Sequence, residues 1–297
     1  FSAQPYSVVP YHIIVVVGTL LTLFLGAHSI EKTNKIMMPL LFGLFLLLGI
    51  YIAFLPGSGE GYRYIFTLNP QGLADPEVWI FAFGQAFFSL SVAGNGSVIY
   101  GSYLDKREDL PGAARNVAIF DTIAAMLAAL VILPAMGVGG VTPDTAGPGL
   151  MFVYLVNVLN GMAGGRVVGM LFFICVLFAG ATSIVNLYEV PVAFLQEKLG
   201  LRRVSAVAVI GLIGAVISVL IQPWTAQWMV SIYICPLGAL LAGLMFFWVL
   251  PKATAIEAVS EGGRKQIGAW FYPLGKYLYC ICALTALIAG ALIGSIG

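Results

Sequence analysis

The feature that most constrains this chain is a series of apolar runs, each about twenty residues long. As an α-helix, a run of about 20 apolar residues crosses roughly 30 Å of hydrocarbon. Of the 297 residues, 60% are hydrophobic and only 9% are charged, whereas soluble domains carry about 25% charged residues. The sequence therefore predicts an all-α, polytopic membrane protein.

We expect one transmembrane domain over residues 1–297 with about eight crossings. The predicted spans are 12–29, 36–54, 78–104, 114–137, 167–195, 204–221, 226–250 and 270–296.

Positive charge is distributed unequally between the two sets of loops. All 14 lysines and arginines except Arg63 and Arg166 fall on one side of this topology or at helix ends facing it. The positive-inside rule places that side in the cytoplasm. We therefore expect a multi-pass protein of the cell membrane, in a bacterial inner membrane, with both termini of this chain outside. The net charge of +1 gives no indication of a nucleic-acid partner.

The third predicted span, 78–104, contains an interruption. Residues 93–96 are AGNG, and glycine costs roughly 1 kcal/mol relative to alanine inside a helix. Backbone released from a helix within a membrane is tolerated only where protein buries it or where it lines a wet cavity. Four polar residues lie at the same depth: Ser89, Ser91, Asn95 and Ser97. The pattern predicts a broken helix at a small-molecule or ion site.

Two other spans carry polar groups with the chemistry of a sodium ligand. Asp121 offers a hard carboxylate oxygen, which suits Na⁺ or a hydrogen bond to a neighbouring helix. Ala179, Thr182 and Ser183 stand at i, i+3 and i+4, so a backbone carbonyl and two hydroxyls share one helical face. This face is either a neutral oxygen site for Na⁺ or a case of hydroxyls satisfying a helical carbonyl. For Glu189 we favour a structural hydrogen-bonding role.

The sequence contains no GxSxG, HExxH or Walker motif and no paired carboxylates. With no nucleophile–base pair visible, we do not expect an enzyme.

Several ordered motifs resemble the neurotransmitter:sodium symporter family, particularly its bacterial amino-acid transporters. The resemblance covers essentially the whole chain and implies the LeuT-type inverted-repeat helical bundle. The spans resemble helices 4 to 11 of the family's twelve, so the chain would lack the first three helices. Either the chain is a fragment, or a second chain carries helices 1 to 3. The motifs are KTNKIMMPLLF, GQAFFSLS, DT before a helix ending in LP, FAGATS and PLGALL.

The resemblance implies two sodium sites. Ser89 and Asp121 match positions of the first site, and the Ala179 carbonyl with the Thr182 and Ser183 hydroxyls matches the second. Asp121 stands where many members have asparagine. It would then supply a negative charge that others take from the substrate carboxylate or from chloride. Sodium is thus the expected co-ion; chloride is not expected, although the resemblance leaves it open.

The resemblance also implies a substrate pocket on the broken helix. Phe88 would be an aromatic lid, Ser91 would line the pocket, and Leu187 would line an apolar subsite beyond Ser183, which is also expected at the substrate. Gly94 stands where a larger residue often packs against the substrate, which indicates a roomier pocket.

Three further positions match gates of the family. Tyr103 and Glu197 match parts of the cytoplasmic gate, where Glu197 would meet an arginine of an N-terminal segment that is absent here. Gln227 stands where an acidic residue commonly pairs with an external arginine, so this chain would keep a hydrogen bond at best.

These matches imply a sodium-coupled amino-acid symporter that works by alternating access in a lipid bilayer. The alternative is a non-transporting structural or interaction protein of the membrane.

Overall fold

The structure is a computed structural model that describes residues 9–92, 96–140, 152, 155–161, 164–221, 233–263 and 267–293. Gly94 and Gln227 lie outside these residues. The α-helices are α1 (Val9–Phe24), α2 (Ala27–Ala53), α3 (Ser58–Phe66), α4 (Pro76–Ser89), α5 (Gly96–Ser102), α6 (Leu110–Val138), α7 (Leu155–Gly161), α8 (Gly165–Leu199), α9 (Arg203–Ile221), α10 (Cys235–Leu244), α11 (Lys252–Ser260) and α12 (Cys280–Ile293). The π-helical segment Met245–Val249 follows α10. A single α-helical turn at Phe271–Pro273 and the π-helical segment Leu274–Tyr279 precede α12.

The chain divides into two compact units. The first comprises residues 1–26, 70–119 and 185–297, and the second comprises residues 27–69 and 120–184. Two of the four boundaries between them fall inside α6 and α8, and the other two lie between helices.

The second unit has one apolar core built from four helices. Leu48 and Ile52 of α2, Val131 and Ala135 of α6, Leu155 and Leu159 of α7, and Val168, Phe172 and Cys175 of α8 form it. α7 is a seven-residue helix, which is too short to cross a bilayer. Its side chains Leu155 and Leu159 are buried in the core of the second unit.

The short helix α3 packs directly on α6 in the same unit. A side chain at Gly61 would overlap the backbone of Leu133 and Pro134. Glycine is therefore required here by the close approach of two backbones.

In the first unit, α1 packs against α9, and α4 packs against α10 and α12. Edge-to-face contact between Phe87 and Tyr279, with ring centroids 5.4 Å apart, joins α4 to the π-helical segment before α12. This packing holds the helix that leads into the predicted break.

Several described helices are long and apolar enough to cross a membrane: His28–Ala53, Leu110–Val138, Gly165–Leu199 and Phe271–Leu292. A further apolar stretch, Cys235–Val249, bends by 112° into Lys252–Ser260. These helices support the predicted polytopic, all-α membrane fold.

Candidate functional site

α4 ends at Ser89 in a Schellman motif, which satisfies carbonyls that a helix end leaves open. The Ser91 N–H donates to the Phe88 carbonyl at 3.0 Å, and the Val92 N–H donates to the Phe87 carbonyl at 3.1 Å. Ser91 has φ 54°, in the left-handed region that glycine usually occupies at this position. The chain therefore leaves the helix in a defined, locally bonded turn.

The helix resumes at Gly96, and residues 93–95 lie outside the described part of the chain. The first turn of α5 is bonded back to the end of α4. The Ser97 hydroxyl donates to the Leu90 carbonyl at 3.0 Å, and the Ser97 N–H donates to the Ser91 carbonyl at 3.4 Å. The start of α5 is thus hydrogen-bonded to the residues that directly follow α4.

The predicted substrate residues on this crossing are accessible. Phe88 is 59% exposed on the last turn of α4, and Ser91 is exposed in the Schellman motif. Ser89 is exposed on the same turn and takes part in a further contact. Leu187 is exposed on the part of α8 that belongs to the first unit.

In the second unit, α8 brings three oxygen atoms together. The Thr182 hydroxyl donates to the carbonyls of Phe178 and Ala179, each at 3.0 Å, and the Ser183 hydroxyl donates to the Ala179 carbonyl at 2.9 Å. Thr182 is 1% exposed, whereas Ser183 is exposed. We call the Ala179 carbonyl and the Thr182 and Ser183 hydroxyls the oxygen triad.

The oxygen triad has the chemistry of a weak cation site. Each hydroxyl uses its proton on a carbonyl and keeps lone pairs that can accept a cation. A carbonyl and hydroxyls are the neutral, hard oxygen ligands that Na⁺ accepts. Asp121, partly buried on α6 of the same unit, is a carboxylate that already takes part in a contact. Among the described residues, no group of three His, Cys, Asp or Glu side chains could hold a metal ion.

The first unit contains a hydrogen-bonded group of Glu189, Arg203 and Tyr103, which we call the charged network. The sequence predicts hydrogen bonding for Glu189 but not its partner. Glu189 on α8 is fully buried. Its carboxylate accepts from the Arg203 guanidinium through Nη1 at 3.0 Å and Nη2 at 2.8 Å, and from the Tyr103 hydroxyl at 2.6 Å. The hydrogen-bonding role predicted for Glu189 is therefore what the structure shows. For its partner Arg203, the sequence predicts only a position on the positively charged side of the membrane.

Arg203 extends this network to the end of α1. Its Nε donates to the Leu23 carbonyl at 2.8 Å, and its Nη1 donates to the Gln196 side chain at 3.4 Å. Beside it, the Tyr100 hydroxyl donates to the Asn186 amide oxygen at 2.7 Å. One arginine thus connects the ends of α1, α8 and α9.

The other predicted gate residues have different environments. Tyr103 belongs to the charged network, whereas Glu197 is exposed on the last turn of α8. The signal that could have identified Arg203 was the presence of one acid inside a span and one arginine at the start of the next, because intramembrane charges pair with one another.

In sequence and in structure, the chain is similar to known transporters. The model of the family described as "Sodium:neurotransmitter symporter family" matches residues 7–266. An uncharacterized sodium-dependent transporter of Methanocaldococcus jannaschii is 29% identical over 279 residues, which cover 88% of this chain and 56% of that protein. Another, of Haemophilus influenzae, is 34% identical over 206 residues, which cover 69% of this chain and 44% of that protein. The chain spans about half the length of these relatives.

A solved structure agrees with them. The crystal structure of MhsT in complex with L-phenylalanine matches with a TM-score of 0.83 and 31% identity over 97% of this chain and 69% of that one. This match confirms the predicted LeuT-type helical fold. The chain belongs to the sodium:neurotransmitter symporter family.

Proposed function

We propose that this chain is part of a sodium-coupled amino-acid symporter that works by alternating access. The observation that carries the proposal is the interruption of an apolar crossing between Ser89 and Gly96. A membrane helix that stops and restarts exposes main-chain groups at depth, where they can contact a cargo.

Sodium would bind at two sets of hard oxygen ligands. The oxygen triad supplies neutral ligands in the second unit, so Na⁺ is held weakly enough to leave again. The Thr182 and Ser183 hydroxyls already lie around the Ala179 carbonyl. By the family resemblance, Asp121 would supply the charged ligand of the other set, where its carboxylate makes a chloride ion unnecessary.

The cargo would be an amino acid bound beside the broken crossing. The MhsT structure holds L-phenylalanine, and a comparable occupant here would contact Phe88 and Ser91. Leu187, in the same unit, would line the apolar part of the pocket. Exposure of Phe88 and Leu187 is consistent with side chains that contact a cargo.

The charged network would act as the cytoplasmic gate. Arg203, Glu189 and Tyr103 join the ends of α1, α8 and α9 to the residue that follows α5. Release of cargo to the inside would require these bonds to rearrange. The excess of lysine and arginine puts this end in the cytoplasm by the positive-inside rule.

Uptake of radiolabelled amino acids into proteoliposomes tests the proposal, with the full-length protein reconstituted. We expect uptake under an inward sodium gradient and background uptake when potassium replaces sodium. Equal uptake in the two conditions would overturn sodium coupling, and no uptake of any amino acid would overturn amino-acid transport.

A further inference from the structure

Two lysines of the first unit share one aromatic ring. The Lys252 Nζ lies 5.5 Å from the centroid of the Tyr272 ring, and the Lys276 Nζ lies 5.9 Å from it. Lys276 also lies over the Trp248 ring, 4.3 Å from its centroid. We call Lys252, Lys276, Trp248 and Tyr272 the lysine–aromatic cluster.

Backbone hydrogen bonds hold the two rings of this cluster in place. The Tyr272 hydroxyl donates to the Phe247 carbonyl at 2.7 Å, and the Trp248 indole N–H donates to the Lys276 carbonyl at 3.1 Å. The Phe247 carbonyl lies in the last turn of its π-helical segment, where carbonyls have no partner within the helix. The two π-helical segments are thereby joined, and the rings fix where the two ammonium groups can lie.

The two positive charges of the cluster have no protein counter-ion among the described residues. Within the part of the chain that the structure describes, neither Lys252 nor Lys276 forms an ion pair. Cation–π contact offsets part of the cost of bringing two ammonium groups together, but an aromatic ring does not neutralise charge. An anion would complete the site.

The cluster lies where an apolar span ends. The apolar stretch Cys235–Val249 bends by 112° into the helix that starts at Lys252. Next to the lysines, Trp248 is 53% exposed and Tyr277 is 56% exposed, with their ring centroids 6.1 Å apart. Leu274 and Leu278, on the same π-helical segment, are also exposed. Tryptophan, tyrosine and lysine in this arrangement are typical of the headgroup level of a bilayer.

We propose that the lysine–aromatic cluster is a binding site for the headgroup of an anionic phospholipid. The headgroup phosphate would accept hydrogen bonds from Lys252 and Lys276. The acyl chains would lie against the exposed apolar side chains Leu274 and Leu278. Positive charge and apolar surface adjoin each other, so the occupant is a membrane lipid and not a free phosphate ion. By the positive-inside rule this lipid belongs to the cytoplasmic leaflet.

Native mass spectrometry of the purified full-length protein, titrated with phosphatidylglycerol and with phosphatidylcholine, tests the site. Each lysine near an anionic surface contributes about a fivefold factor in affinity. K252Q/K276Q should therefore lose on the order of twentyfold in affinity for phosphatidylglycerol at one site and should bind phosphatidylcholine as the wild type does. K252R/K276R keeps both charges and should retain the site, which separates loss of charge from loss of folding.

The matched control is K106Q/K198Q, which removes two exposed lysines from the same predicted side of the membrane and outside the cluster. It should keep the phosphatidylglycerol site. The proposal is wrong if K252Q/K276Q binds phosphatidylglycerol like the wild type. It is also wrong if K252Q/K276Q and K106Q/K198Q lose affinity for this lipid equally. Displacement of phosphatidylglycerol by millimolar inorganic phosphate would also overturn it, because the site would then recognise free phosphate.

Discussion

The long helix α8 carries two polar groups that are bonded in opposite ways. The oxygen triad, in the second unit, makes its hydrogen bonds within the helix, from Thr182 and Ser183 to carbonyls three or four residues earlier. Glu189, in the first unit, bonds to Arg203 and Tyr103 on other elements. The first group is neutral and local; the second is charged and joins separate parts of the chain.

This difference separates a group that can change partners by itself from one that changes partners only when several bonds break together. A hydroxyl bonded to its own helix can accept a cation without any tertiary contact being lost. Removing one member of a buried ion pair instead leaves a charge that neither water nor protein stabilises. We therefore interpret the oxygen triad as a site of ion exchange, and the charged network as a connection that opens only when several bonds change together.

The largest effect should follow loss of the arginine. Arg203→Met leaves Glu189 fully buried without its bidentate partner, which should destabilise the protein by about 3 kcal/mol. This value lies at the low end for buried pairs because the Arg203 side chain is 23% exposed. Thermal unfolding followed by dye labelling of the buried Cys175 and Cys280 thiols would measure it.

Two companion variants sharpen that experiment. Arg202→Met removes the neighbouring exposed arginine and should change stability by less than about 0.5 kcal/mol. Glu189→Met combined with Arg203→Met removes both charges and should recover most of the lost stability. If Arg203→Met destabilised the protein no more than Arg202→Met, the charged network would not stabilise the fold as we infer.

A second prediction concerns the local backbone bonds at the end of α4. Ser91 adopts a left-handed φ, which a β-branched residue tolerates poorly and glycine adopts freely. Ser91→Val should therefore be less stable than Ser91→Gly by about 1–2 kcal/mol in the same unfolding assay. Equal stability of the two variants would show that the crossing does not leave the helix at Ser91 as described.

The smallest stability effect is expected in the oxygen triad. Thr182→Val keeps the shape of a buried side chain and removes one hydroxyl, while the Ala179 carbonyl still accepts from Ser183. The loss should be about 1 kcal/mol or less, measured by thermal unfolding in sodium-free buffer. A loss comparable to that of Arg203→Met would mean that the triad is structural, which would remove the contrast within α8.

The broken crossing shows what the sequence could and could not predict. The glycines of residues 93–96 located the interruption in the correct span. The helix ends earlier than those glycines, at Ser89, and a serine takes the left-handed angle. Helix propensity therefore indicates that a break occurs nearby. Its exact position follows the Schellman motif at Ser91, whose hydrogen bonds helix propensity does not describe.

The start of α2 illustrates a second limit. The predicted span begins at residue 36, because Lys32 and Lys35 are charged and indicate a loop. In the structure the helix begins at Ala27. Lys35 donates to Glu31 at i, i+4, which stabilises helical turns outside the apolar run. Hydropathy predicts the part of a helix that lies in lipid and is insensitive to turns that continue into water.

The partners of the predicted site residues were the least accessible to sequence reasoning. Ala179, Thr182 and Ser183 could be grouped because helical spacing places them together. The pairing of Glu189 with Arg203 joins positions whose contact depends on how α8 and α9 pack, which no local pattern specifies.

The most direct test of the account is equilibrium binding of ²²Na⁺ to the purified full-length protein and to Thr182→Val. We predict saturable binding by the wild type and an affinity weaker by on the order of tenfold in the variant, because loss of one ligand costs about 1.4 kcal/mol. Unchanged sodium affinity in a correctly folded Thr182→Val protein would contradict the assignment of the oxygen triad as a sodium site.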